Sequence, residues 1–349
     1  MIRLLVVGTG GMADTHANAF AAIEGVSIVA GVDTNPENLR NFTKNHNIAH
    51  GFATIQEALA WGDFDAVCNV TPDAVHHRVA MPCLAAGKHM LCEKPLATSH
   101  ADASEMAQAA AAAGIVNMVN FTYRNSPALM KAAEIVAADG IGDMRHFEGS
   151  YLQSWLTQPA WGDWRTEDQW LWRLSKGHGS HGVLGDVGIH ILDFATYAAG
   201  ANVARVSCRL ATFPKAPDDR IGNYRLDAND SAMMHVTLTN GAAGVIHASR
   251  FASGHLNDLH LRLFGTKGGL IVTHTHGKDH LQMCAGDDLI TGTWVDIETP
   301  PVPTIFERFI AAIRGKGDSR PSFAHGADLQ RVLDAAVTSD TNQSTDQVV

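Results

Sequence analysis

No apolar run in this 349-residue chain approaches the roughly 20 residues that span a bilayer, so a membrane-spanning helix is not expected. The apolar opening, Ile2 to Val7, meets glycines at once and is too short for a secretory signal, which reads as a soluble, cytoplasmic protein. Cysteine is sparse: Cys68, Cys83, Cys92, Cys208 and Cys284 are odd in number, scattered, and form no Cys-x-x-Cys, which argues against a disulfide framework or a thiolate zinc site. Positive charge is in deficit, with 26 Lys and Arg against 36 Asp and Glu and a net charge of -10. No basic footprint for a phosphate backbone is therefore present, and no nucleic-acid partner is expected. Internal repeats and blocks of like charge are absent as well.

What is present is a chain 46% hydrophobic and long enough for two cores. Up to about residue 122, short buried-strand runs alternate with helical stretches, the grammar of a doubly wound parallel α/β sheet. The expected strands are Ile2 to Val7, Ser27 to Val32, Ala66 to Val70, His89 to Cys92 and Val116 to Phe121. The helices between them run Met12 to Ile23, Pro36 to Asn45, Ile55 to Trp61, Ala74 to Ala86 and Ala101 to Ala113, with Gly87 and Gly114 placed as left-handed caps.

After Pro127 the pattern changes to one helix, Ala128 to Ala138, and a strand, Met144 to Leu152, followed by a loop dense in tryptophan and glycine. Val203 to Phe213, Ser231 to Leu238, Ala243 to Arg250, His260 to Phe264 and Leu270 to His274 then read as neighbouring strands, with Thr239-Asn240-Gly241 a hairpin turn. This predicts a second, α+β domain over 123–337 built on an open, mostly antiparallel sheet. Helices Thr304 to Arg314 and Ala324 to Val337 close it, the last able to pack back on the first domain. A polar tail, 338–349, is expected to fray. A sheet with helices on one side leaves a face to cover, so a homo-oligomer, dimer or tetramer, is expected.

Chemistry enters with Gly8-Thr9-Gly10-Gly11-Met12-Ala13, which follows a strand and opens a helix. Gly8 permits the tight turn, Gly10 the approach of a pyrophosphate and Ala13 close helix–strand packing, a dinucleotide fingerprint. Asp33 ends the second strand, where an acid binds ribose hydroxyls and repels a 2'-phosphate, so NAD is expected over NADP; the competing role is an N-cap for the next helix. Asn69, Thr71 and Pro72 stand at the carboxyl end of a later strand, with His76 on the helix after it. Lys94 lies between Glu93 and Pro95 just past another strand, a cation beside the crevice. Asp186 and His190 are four apart and Asp193 three further, which puts all three on one helix face; read alone, they would be a cap and a core histidine.

Together these segments resemble the glucose-fructose oxidoreductase and inositol dehydrogenase (Gfo/Idh/MocA) family. The matching residues are Gly8 to Ala13, Thr71-Pro72 with His76, Gly87-Lys88-His89 leading into Glu93-Lys94-Pro95, Asn120 with Tyr123-Arg124, Trp172-Arg173, and Asp186-x-Gly188-x-His190-x-x-Asp193. The resemblance implies a Rossmann domain, a nicotinamide cofactor and a sugar or cyclitol substrate. It makes His190 the base that takes a hydroxyl proton while hydride leaves the same carbon, and Lys94 the cation that polarises the hydroxyl and favours a neutral His190. Asp186 would orient the sugar. Tyr123, Arg124 and Arg173 would line the cleft, with Asn120 near the nicotinamide ribose and Glu93 among the cofactor residues. Tyr151-Leu152-Gln153-Ser154-Trp155 is similar to the branch acting on monosaccharides or anhydrosugars.

The chain departs from many relatives at Gly177-His178-Gly179-Ser180-His181-Gly182, which sets two extra histidines near the implied site. No acid or cysteine at ligand spacing completes a metal set, so none is expected. Trp155, Trp161, Trp164, Trp170 and Trp172 stack on a sugar or anchor their loop; the text leaves both open. Two alternative functions accompany a dehydrogenase: a redox-neutral glycosidase that uses NAD transiently, and a non-catalytic NAD sensor.

Overall fold

A computed structural model describes residues 1–349 and divides them into two compact units, Met1–Thr122 with Pro303–Gln330 and Tyr123–Val302 with Arg331–Val349. The first unit alternates β1 (Ile2–Val7), α1 (Gly11–Ala21), β2 (Val26–Val32), α2 (Pro36–Asn45), β3 (His50–Phe52), α3 (Ile55–Trp61), β4 (Ala66–Asn69), α4 (His76–Ala85), β5 (His89–Cys92), α5 (His100–Ala113) and β6 (Asn117–Val119). Its six strands are all parallel in the order β3-β2-β1-β4-β5-β6. That order reverses direction at β1 and β4, the switch point where such sheets bind ligands. β3 lacks a legible apolar run: it is a three-residue edge strand with two exposed positions.

The second unit begins with α6 (Pro127–Ala137) and β7 (Met144–Gln153), then a loop region holding α7 (Asp168–Leu171), then α8 (Ile189–Ala199). The strands β8 (Val203–Ala211), a small β9 (Arg220–Ile221) and β10 (Tyr224–Arg225) ladder, β11 (Ser231–Leu238), β12 (Ala243–Ser249), β13 (Asn257–Gly265), β14 (Gly268–Thr275) and β15 (Lys278–Ala285) follow, then α9 (Asp288–Thr291) and β16 (Val295–Asp296). α10 (Ile305–Ile313) belongs to the first unit; α11 (Phe323–Thr341) and β17 (Gln347–Val348) end the chain. The large sheet has nine strands ordered β16-β15-β14-β13-β7-β12-β11-β8-β17, antiparallel except for the β7–β12 pair. Burial alternates along β11 and β12, so one face is buried while Met233 and Val245 stand exposed on the other. α8 covers the buried face at Gly149, where a Cβ would lie 3.3 Å from Ile191 and hold the helix off.

Two features correct the sequence reading. The tail does not fray: α11 continues to Thr341, Ser339 is buried with its Oγ accepting from Cys208 N at 2.8 Å, and Gln347–Val348 pair with β8. These polar side chains satisfy a sheet edge that would otherwise expose unpaired amides. The segment 303–330 returns to the first unit because α10, closed by a Thr304–Glu307 capping box, places Ile305, Phe306, Phe309 and Ile310 in the core around Phe20. Phe306 meets Phe20 edge to face with ring centres 5.1 Å apart.

Candidate active site

In the first unit the expected cofactor residues gather at the carboxyl ends of β1, β2, β4, β5 and β6. Gly8 has φ +84°, and a Cβ there would lie 2.8 Å from Thr71 N, so only glycine fits the turn. Gly10 and Gly11 have nothing within 4 Å of a built Cβ, which leaves open space in front of the α1 N-terminus, with Met12 exposed beside it. Asp33 Oδ2 accepts from Thr9 N at 2.8 Å and from Thr9 Oγ1 at 2.9 Å, while Oδ1 accepts from Asn35 N at 2.8 Å. The α2 cap is Asn35, whose side chain accepts from Glu37 N, and not Asp33. Turn, open helix end and tethered carboxylate fit a dinucleotide with unphosphorylated ribose.

Asn69 Oδ1 accepts from Thr71 Oγ1 at 2.7 Å, which fixes the Thr71-Pro72 turn. His76 bridges Thr71 O at 2.7 Å and Pro95 O at 2.8 Å, so it joins that turn to the loop carrying Lys94. Beneath Lys94 lies a network whose centre, His16, the sequence reading missed. Glu93 Oε1 meets His16 Nε2 at 2.7 Å and accepts from Asn120 Nδ2 at 2.6 Å, and Oε2 accepts from Lys94 N at 3.1 Å. His16 Nδ1 lies 3.1 Å from Cys68 Sγ. Burial alone would push the Glu93 carboxyl up, yet hydrogen bonds and charge from His16, with Asn120 and Lys94, hold it down at about 2. Burial would likewise push His16 down, and Cys68 and Glu93 together raise it to about 10. The lysine loop therefore stands on a buried ion pair.

In the second unit, Leu184–Gly188 form a π-helical turn that runs directly into α8. Asp186 lies inside this turn and not at a cap, and the larger number of residues per turn departs from the simple helical face expected for Asp186, His190 and Asp193. Gly185 is needed in it, since a Cβ would sit 2.5 Å from His181 Cβ. His190 is buried and packs edge to face on Tyr123, ring centres 5.0 Å apart. Tyr123 and Tyr151 hydroxyls meet at 2.5 Å, Tyr151 donates to Asn257 Oδ1 at 2.5 Å, and Asn257 Nδ2 donates back to Tyr123 at 2.8 Å. That closed ring fixes the Tyr123 plane beside the imidazole. His274, bonded to Asp279 at 3.1 Å, packs edge to face on Tyr123 as well.

Arg124, expected in the cleft, is buried on Asp193 through two bonds of 2.7 Å and lies over the Tyr197 ring, so it anchors α8. Arg173 is half-buried, its Nε 3.9 Å from Asp186 Oδ2 and its guanidinium over Trp172. Arg250, which no sequence signal marked, donates to the same Asp186 oxygen at 2.9 Å. Trp155, Trp164, Leu171, Leu174 and Leu226 form one apolar cluster against which Trp161 and Trp170 pack, so these tryptophans anchor their loop. His178 packs at a tilt against Tyr224, ring centres 4.3 Å apart, and His181 is exposed. No group of three His, Cys, Asp or Glu is arranged to hold a metal ion.

Comparison with known proteins supplies the frame for this geometry. A family model described as an oxidoreductase family with an NAD-binding Rossmann fold matches residues 2–121, and a GFO/IDH/MocA C-terminal domain model matches residues 129–271. Levoglucosan dehydrogenase of Pseudarthrobacter phenanthrenivorans is 27% identical over 97% of this chain and 96% of that protein. The solved levoglucosan dehydrogenase complex with NADH and levoglucosan is 26% identical, with TM-score 0.86, covering 100% of this chain and 99% of the other. An oxidoreductase domain protein from Kribbella flavida is 30% identical, with TM-score 0.85, covering 100% and 99%.

Proposed function

This chain belongs to the Gfo/Idh/MocA oxidoreductase family and binds NAD, and from that premise we propose that it oxidises a secondary or anomeric hydroxyl of a sugar, anhydrosugar or cyclitol. The likeness to levoglucosan dehydrogenase, which extends almost end to end over both chains, carries this reading. Gly8, Thr9, Gly10, Gly11, Met12 and Asp33 hold the dinucleotide, with Asn69, Thr71, Pro72, His76, Glu93, Lys94 and Asn120 around its nicotinamide half. Bound NAD supplies the hydride acceptor. Lys94 of the first unit hydrogen-bonds the substrate oxygen, and His190 of the second takes the hydroxyl proton as the carbon becomes a carbonyl. Asp186 accepts from neighbouring hydroxyls, and Arg173 and Tyr123 contact the same substrate. The proposal requires Lys94 and His190 to act on a single hydroxyl.

A homo-oligomer that covers the open face of the nine-stranded sheet belongs to the same reading, supported by the exposed Met233 and Val245. A reducing cytoplasmic setting is supported by five free, buried cysteines. A panel of anhydrosugars, cyclitols and aldoses, followed by NADH absorbance, tests the function. NADH should accumulate with at least one of them; its absence with all, alongside glycosidic cleavage, would instead favour a redox-neutral enzyme.

A further inference from the structure

Arg250 is the largest side chain fully buried in the protein, and burial works against its positive charge. It follows the last residue of β12, where its backbone is held on both sides: Arg250 N donates to Asp230 O at 3.0 Å, and Leu156 N donates to Arg250 O at 3.4 Å. From that fixed base its two terminal nitrogens part. One donates to Asp186 Oδ2 at 2.9 Å and the other to the backbone carbonyl of Arg173 at 3.0 Å, while the guanidinium carbon lies 5.1 Å from the Trp155 ring centre. The Arg173 carbonyl also accepts from Ser180 Oγ, which in turn accepts from Gly182 N at 3.0 Å. One cation thus ties the Trp172-Arg173 turn, the 180–182 loop and the π turn that leads to His190.

A guanidinium offers a rigid fork that a lysine cannot reproduce, and a buried cation persists only where its partner is fixed. We propose that Arg250 is a positioning residue for the reaction: it sets the rotamer of Asp186, and through Asp186 the orientation of the substrate hydroxyls. The inference rests on the reading that Asp186 contacts substrate. The sequence offers no hint of it, because Arg250 is 64 positions from Asp186 and follows an ordinary strand.

The test is a kinetic cycle of Arg250→Met, Asp186→Asn and the double variant, with the best substrate of the panel and with NADH affinity from fluorescence quenching. Each single variant should lower kcat/KM about 100-fold, the size expected when a substrate is displaced by about an ångström, chiefly through KM and with NADH affinity unchanged. The double variant should be no worse than Asp186→Asn, because Arg250 acts through that carboxylate. Losses that multiply, or an Arg250→Met enzyme within threefold of wild type, would overturn the inference. Wild-type kinetics in Asp186→Asn would instead overturn the role of Asp186 on which it stands. Arg250→Lys, which keeps the charge but reaches one acceptor at a time, carries the same test if the methionine variant does not fold; it should raise KM about tenfold with kcat little changed, and an unaltered KM would overturn the proposal.

Discussion

Replacing His16 by Phe preserves a ring against Phe306, whose centre lies 5.0 Å away, but removes both nitrogens from Glu93 and Cys68. Glu93 then remains as a largely buried carboxylate held by Asn120, the Lys94 amide and the charge of Lys94. Breaking a buried pair from one side typically costs about 3–5 kcal/mol, because the remaining charge is left uncompensated. For a unit of this size that corresponds to a fall of roughly 10 °C in melting temperature. The pH dependence is set by the two shifts. His16 is raised to about 10, so its contribution is complete below the unfolded-state value of about 6.5 and is lost as pH rises through 10. Glu93 is lowered to about 2, so its contribution is complete above about 4.3 and is lost as pH falls through 2. The difference between wild type and His16→Phe should therefore be largest near pH 5–6, shrink towards pH 10, and largely vanish in His16→Phe/Glu93→Gln. Differential scanning calorimetry across that range measures it. A loss below about 1 kcal/mol, or one independent of pH, would refute the buried ion pair.

Gly8→Ala should weaken NADH binding at least tenfold, since the added methyl meets Thr71 N at 2.8 Å and φ is +84°; a fluorescence titration matching wild type would mean the turn gives way freely. Asp33→Ala should erode discrimination against NADP, and because Asp33 also holds Thr9, it should weaken NAD itself; the ratio of kcat/KM for the two cofactors reports the first effect and NADH affinity the second.

The alternating first unit was legible because every strand except the edge strand β3 is a short apolar run and several helices carry a stop or start residue, as at Gly114 with φ 62° or Pro36 at the first turn of α2. β15 was not, because its hairpin turns on His276-Gly277, with φ 52° and 72°, in place of the usual Asn-Gly. The same limit applies to the site. Motif residues such as Gly8 and Glu93-Lys94 announce themselves by local spacing, whereas His16, Asn257 and Arg250 act through partners 77, 134 and 64 positions away, which no local pattern encodes. The π turn at Asp186 depends on Gly185 meeting His181, a tertiary fit invisible in a 3.6-residue period.

The central claim is that Lys94 and His190 serve one hydroxyl, and it is tested most directly by the rate of NADH formation in Lys94→Ala and His190→Ala enzymes saturated with substrate and cofactor. Each rate should fall by about 10²–10⁴-fold, the contribution of a positioned acid or base, while His190→Ala binds NADH as wild type does and Lys94→Ala keeps NADH binding largely intact. A variant of either residue that turns over at the wild-type rate would contradict the account.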